Sequence, residues 1–167
     1  GAKGEGRVTD PRLLPTSVSY GILDHDLVLW VGDLNYALYE DQVEAAAARA
    51  MLAGDAEGTL VAHGEVPREL KVADQLNEQK KEGRAFTGFE EGPLDFLPTY
   101  RVVIDGDLYD EKRCPAWTDR VLWKVSDPPR DCGAPPLVTL GGYGSVWAAN
   151  MSDHKPVCAS LEVVPQG

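Results

Sequence analysis

The 167-residue sequence predicts a mixed α/β domain, and three observations carry that prediction. Short, unbroken apolar runs alternate with runs of strong helix formers, the pattern of sheets covered by helices rather than of an all-α or all-β chain. With 43% hydrophobic residues the chain can build one core, and it is too short for two ordinary domains. Asp, Asn and His gather where apolar runs end, so that polar side chains would stand at the mouth of a sheet whose strands hold them in place.

The elements follow in order. Residues 1–20, opening Gly-Ala-Lys-Gly-Glu-Gly, read as a linker or the cut edge of a domain, and 21–167 as the domain itself. Residues 27–31, Leu-Val-Leu-Trp-Val closed by Gly32, have the pattern of a strand buried on both faces. Residues 39–52 predict a helix, with acids in its first turn and Gly54 just past its end. Residues 67–81 predict a second, because Pro67 suits a first turn, Leu70, Ala73 and Leu76 share one face, and Gly83 stops it. Lys71, Glu78, Lys80 and Lys81 form its solvated side. Gly88, Gly92, Pro93 and Pro98 make 84–100 an ordered loop or short edge element. Strands are expected over 101–104, 120–125, 137–140 and 157–164, with the Pro-rich stretch 126–136 as a surface connection. Trp30 and Trp123 lie on strand patterns and read as core, Trp147 in a Gly-rich loop reads either way, and Lys124 reads as solvated.

Composition excludes several function classes. The net charge of −11 argues against nucleic-acid binding through a broad basic face. An anionic ligand would need a local basic cluster or a metal. The odd set Cys114, Cys132 and Cys158 lacks zinc-site or disulfide-framework spacing and reads as reduced thiols of a cytosolic protein. No run of about 18 apolar residues could form a transmembrane segment, and the opening lacks the apolar core of a signal peptide.

The chemistry concentrates in three motifs: Gly32-Asp33-Leu34-Asn35-Tyr36, Pro115-Ala116-Trp117-Thr118-Asp119-Arg120, and Ser152-Asp153-His154-Lys155-Pro156. Asp33 and Asn35 point the same way if strand geometry persists past Gly32, and could then meet one phosphate or metal together. The same Gly-Asp-x-Asn also describes a turn in which one side chain bonds its own backbone. His154 has an acid beside it and Asp119 elsewhere in the chain, as a general acid or base near neutral pH requires, though a lone histidine there also serves as a cap or surface residue. His25 and His63 sit in polar, turn-like settings without such acids. Lys155 is the one further basic residue placed to reach a phosphate, against its plainer reading as solvated.

Taken together, these residues resemble the inositol polyphosphate 5-phosphatases of the endonuclease/exonuclease/phosphatase superfamily. Trp30 to Tyr36 resembles the family's first signature and Arg113 to Trp123 its second. Ala73-Asp74-Gln75-Leu76, the stretch 83–92 and Phe96-Leu97-Pro98-Thr99-Tyr100-Arg101 fit between them in the family's order. The resemblance implies the C-terminal half of a four-layered α/β sandwich, with 21–167 as the C-terminal portion of the catalytic domain. It implies magnesium-dependent removal of a 5-phosphate from a phosphoinositide lipid or a soluble inositol polyphosphate. Asp33 and Asn35 would lie at the attacked phosphate with His154, Asp119 would hold its imidazole, and Asp153 would sit near the magnesium. Tyr100 and Arg101 would grip the neighbouring 4-phosphate, with Arg101 in place of the commoner lysine, and Lys112, Arg113 and Arg120 would add substrate contacts.

The sequence departs from the family pattern at four places. Ala37 stands where a basic residue is usual, Thr118 replaces a cysteine, Glu111 falls where a phosphate-contacting lysine is common, and Lys112 is one place out of register. The asparagine, metal-binding glutamate and histidine of the family's N-terminal half have no counterpart here. Half of such a sandwich is expected to expose the apolar face meant for the other half. Alternatives to the enzyme are a catalytically dead binding or scaffolding remnant and a nuclease of the superfamily. The expected location is cytoplasmic, with peripheral membrane contact through flanking regions.

Overall fold

A computed structural model describes residues 19–53, 66–125 and 137–165. Residues 1–18, the whole 126–136 connection, His63 and Cys132 lie outside the described residues. A 3-10 turn at Ile22–Asp24 leads into β1 (Leu27–Asp33). Helices α1 (Ala45–Leu52), α2 (Arg68–Val72) and α3 (Gln75–Lys81) follow, then β2 (Glu90–Glu91), β3 (Asp119–Val125), β4 (Leu137–Ser145) and β5 (Val157–Val164). β1, β3 and β2 form an antiparallel sheet in that order, with Asp33 opposite Asp119, while β4 and β5 form a separate antiparallel pair.

The two helical predictions are cut short by one contact. Tyr39 N–H donates to the Ala73 carbonyl (2.9 Å) and Gln75 N–H to that of Ala37 (3.0 Å), around a bridge between Leu38 and Asp74. A continuous helix over 67–81 would give the Ala73 carbonyl to Asn77. Instead the Asp74 carboxylate accepts from Asn77 N–H (2.9 Å) and caps α3. The predicted single helix is therefore two, and 39–44 is turn rather than helix.

The core lies between these helices and the second signature, with Leu38, Leu52, Leu70, Leu97 and Trp117 buried in one cluster. Trp117 Nε1 donates to the Phe96 carbonyl (2.8 Å), so the indole is packed and satisfied. Behind it, Arg120 is 1% exposed. Its guanidinium donates to Asp74 (2.9 Å), Glu91 (2.5 Å) and the Trp117 carbonyl (3.2 Å). Tyr143 from β4 donates to the same Glu91 (3.0 Å), and Lys80 pairs with it (3.2 Å), so Lys80 belongs to this cluster rather than to a solvated face. Burial raises the Asp74 carboxyl above its ordinary value despite the pull of Arg120. Burial works against the Arg120 cation, but Asp74 and Glu91 outweigh it and hold its pKa above the ordinary value.

Four expectations for the strands and their residues need correction. Among the described residues β1 lies at the edge of its sheet, with Leu29 54% and Val31 62% exposed, so it is not buried on both faces. Trp30 is 38% exposed and makes edge contacts with Phe86 and Phe89, whereas Trp123 is core as expected. Residues 101–104 form no strand. The chain turns back at Gly106, with Val103 N–H to the Leu108 carbonyl and Asp110 N–H to that of Arg101 (both 2.9 Å). Lys124 is half-buried, its ammonium bonded to the Thr87 carbonyl (3.1 Å).

Candidate active site

The antiparallel pairing of β1 and β3 brings the end of one to the start of the other, which places Asp33 across from Asp119. The chain before β5 is tied to the same end, since Lys155 N–H donates to the Thr99 carbonyl and Val102 N–H to that of Asp153 (both 2.9 Å). Three segments distant in sequence thus converge on one sheet mouth.

At its centre, His154 Nδ1 lies 2.8 Å from Asp119 Oδ2. That oxygen also accepts from the hydroxyls of Thr118 (2.9 Å) and Thr99 (3.2 Å). A carboxylate held by two hydroxyls fixes the imidazole tautomer that carries its proton on Nδ1, leaving Nε2 as the free basic nitrogen. Tyr100 packs its ring against the imidazole with centroids 4.6 Å apart, and Ser152 Oγ accepts from His154 N–H (3.1 Å). Thr118, the small replacement for the family's cysteine, therefore takes part in orienting the aspartate. Sequence reasoning missed Thr99 and Ser152 as partners, although both lie within motifs that it quoted.

The Gly-Asp-x-Asn segment adopts the turn. Asn35 N–H donates to Asp33 Oδ1 (2.9 Å) and Asn35 has φ 57°, so strand geometry ends at Asp33 and the two side chains are not paired by alternation. Asn35 nonetheless lines a cleft of about 280 Å³ together with Tyr100, Arg113, Thr118 and Glu40. Arg113 is thus at the cleft. Lys112 is not among its lining residues, and its backbone N–H bonds Asp110 (2.7 Å). Arg101 lies near two acids, with Nε 3.4 Å from Asp153 and 3.7 Å from Asp110. Two expectations fail outright. Arg120 faces the interior with its donors engaged, away from any substrate, and Lys155 is fully buried rather than solvated or facing a phosphate.

Residues 9–160 match the model of endonuclease/exonuclease/phosphatase family 2. This chain belongs to that family. It is 39% identical over 152 residues to mouse phosphatidylinositol 4,5-bisphosphate 5-phosphatase A, covering 86% of this chain and 14% of the relative. Among solved structures it is similar to the inositol polyphosphate 5-phosphatase domain of SPsynaptojanin in complex with inositol (1,4)-bisphosphate and calcium. The TM-score there is 0.58 at 32% identity, covering 86% of this chain and 37% of that one. A Cimex nitrophorin, solved as its ferrous NO complex, overlaps with TM-score 0.67 at 27% identity, over 84% of this chain and 43% of that one. The chain therefore spans less than half of each. Since backbone overlap is no poorer with the nitrophorin, the family's fold alone does not select a chemistry, and the side chains at the sheet mouth must.

The family's divalent cation can be tested against those side chains. Among the described residues no three His, Cys, Asp or Glu side chains gather as a metal site. Asp153 faces Arg101 rather than a second acid, and one Asp33 oxygen is taken by its own turn. These residues do not make a cation site of their own, and Asp153 as a metal ligand does not fit what surrounds it.

Proposed function

We propose that this chain supplies the histidine–aspartate side of a phosphoric monoester hydrolase. The enzyme would remove the 5-phosphate of a phosphoinositide lipid or a soluble inositol polyphosphate, with magnesium as its cation and most metal ligands drawn from outside the described residues. The observation that carries the reading is the imidazole of His154 held by Asp119 at 2.8 Å beside the Asn35–Tyr100–Arg113 cleft. The relatives' names support the substrate class.

In this reading Nε2 of His154 faces the attacked phosphoryl group and either bonds an oxygen or carries a proton, while Asp119 stabilises the imidazolium. Asn35 donates to the same group. Asp33 orients the nucleophilic water with the oxygen left over from its turn. Arg113 and Arg101 balance the remaining phosphate charge, Arg101 at the 4-phosphate, where Asp110 and Asp153 restrict where its guanidinium can point. The lipid form of the substrate implies a cytoplasmic enzyme reaching membranes peripherally through flanking regions. No described helix is long and apolar enough to cross a membrane.

The test uses the full-length polypeptide that carries this chain. His154→Ala and Asp33→Ala should each lower turnover of inositol 1,4,5-trisphosphate by at least about a hundredfold, the scale of losing an acid–base or electrostatic partner. Arg101→Ala should harm substrates with adjacent 4- and 5-phosphates more than those with the 5-phosphate alone. Wild-type turnover in folded His154→Ala would remove these residues from the chemistry. Ligand binding without turnover in the wild type would favour a binding remnant of the same fold.

A further inference from the structure

Lys155 is the one basic residue of the third motif, and its ammonium does not reach the cleft. It is 0% exposed. Nζ donates to the carbonyls of Ala149 (3.2 Å) and Gly106 (3.3 Å) and to the Asn150 side-chain oxygen. It also lies 5.1 Å from the centroid of the Trp147 ring and 3.6 Å from Asp107. An ammonium has three N–H donors, and here each has an oxygen from one of two loops, 103–109 and 146–150. The two loops also meet directly, through Asp105 N–H to the Asn150 carbonyl (2.9 Å). A solvated lysine could be replaced without consequence, but a buried cation whose donors are all engaged holds its partners in one arrangement.

These loops flank the reacting side chains. Loop 103–109 follows Tyr100 and Arg101, and 146–150 runs into Ser152, Asp153 and His154. The Lys155 backbone N–H donates to the carbonyl of Thr99, whose hydroxyl bonds Asp119. One residue thus touches, through side chain or backbone, the Thr99 segment and both loops that flank the imidazole.

We propose that the Lys155 ammonium is a positioning residue: by pinning loops 103–109 and 146–150 together, it fixes the Asp153–His154 backbone so that the imidazole stays on Asp119 and its free nitrogen stays aimed at the phosphate. What the imidazole acts on rests on the phosphatase reading; the pin itself does not.

Two variants test it, Lys155→Met, which keeps an unbranched side chain out to Cε and removes the ammonium with its donors, and Asn150→Ala, which removes one acceptor and keeps the backbone bonds. The first readout is the Nδ1–H proton of His154, observed by NMR in the full-length polypeptide. Lys155→Met should broaden or abolish the signal and Asn150→Ala should weaken it, with the buried Trp117 indole proton unchanged as the control for folding. The second readout is turnover of inositol 1,4,5-trisphosphate, where Lys155→Met should lower kcat by about ten- to a hundredfold, the scale of misaligning a reacting group. KM should stay within about twofold, because uniform binding is retained. A folded Lys155→Met with an unchanged His154 signal overturns the proposal, as does one with unchanged kcat. If the wild type turns over no substrate, the phosphatase reading fails while the imidazole signal still judges the pin. If Lys155→Met does not fold, Asn150→Ala decides by the same signal, and no change there overturns the pin.

Discussion

β1 and β3 are hydrogen-bonded along their whole length and similarly apolar in sequence, yet their side chains meet different surroundings. On β3, Leu122 and Trp123 are buried; on β1, Leu29, Trp30 and Val31 remain open to solvent. β3 is the middle strand, flanked by β1 and β2, and Tyr143 of β4 reaches across to Val121. Among the described residues β1 has a neighbour on one side only. Apolar content predicts that a strand can be buried, and its place in the sheet decides whether it is.

The burial of β3 rests most heavily on Arg120. Arg120→Met leaves Asp74 buried without its cation and Glu91 with Lys80 alone, and should cost about 3–5 kcal/mol in urea unfolding. Lys71→Ala, which removes only the exposed pair with Asp95, should cost no more than about 1 kcal/mol. Equal losses would mean that the buried cluster does not anchor β3. A second pair of variants contrasts the two strands themselves. Leu122→Ala should cost about 2–5 kcal/mol, as for a fully packed core leucine, whereas Val31→Thr should stay within about 0.5 kcal/mol. A large loss at Val31 would show that the outer face of β1 is covered in solution.

The smallest expected effect is a slope. The folded state holds the Asp74 proton more tightly than the unfolded chain does, because burial raises its pKa from 3.8. Its contribution to stability is therefore fully present below pH 3.8 and is lost as pH rises through the raised value. The stability of wild type minus that of Asp74→Asn should fall with rising pH over that window, measured by urea midpoints at a series of pH values. A difference that rises instead would mean that the pull of Arg120 outweighs burial.

Much of the site was legible because its motifs are local. Asp119, Thr118 and the following strand are contiguous, as are Ser152, Asp153 and His154, and a histidine needs a carboxylate to fix its tautomer. What was not legible depends on burial. Arg120 and Lys155 carry charges that read as surface or phosphate-binding groups, and only the positions of Asp74, Glu91, Asn150 and Trp147, distant or across a loop, show that their donors are already satisfied. The helix over 67–81 failed for a similar reason, since the residues favour a helix throughout and the break comes from Tyr39, more than thirty residues upstream.

By itself the sequence determined the order of the motifs and the ends of β5, because these rest on residue types at close spacing, and the family resemblance supplied the pairing of His154 with Asp119, which lie 35 residues apart. The tertiary structure alone decided which cations face substrate and which are interior pins, and which apolar strand is core and which is edge. Both outcomes turn on desolvation, and desolvation is set by neighbours far along the chain.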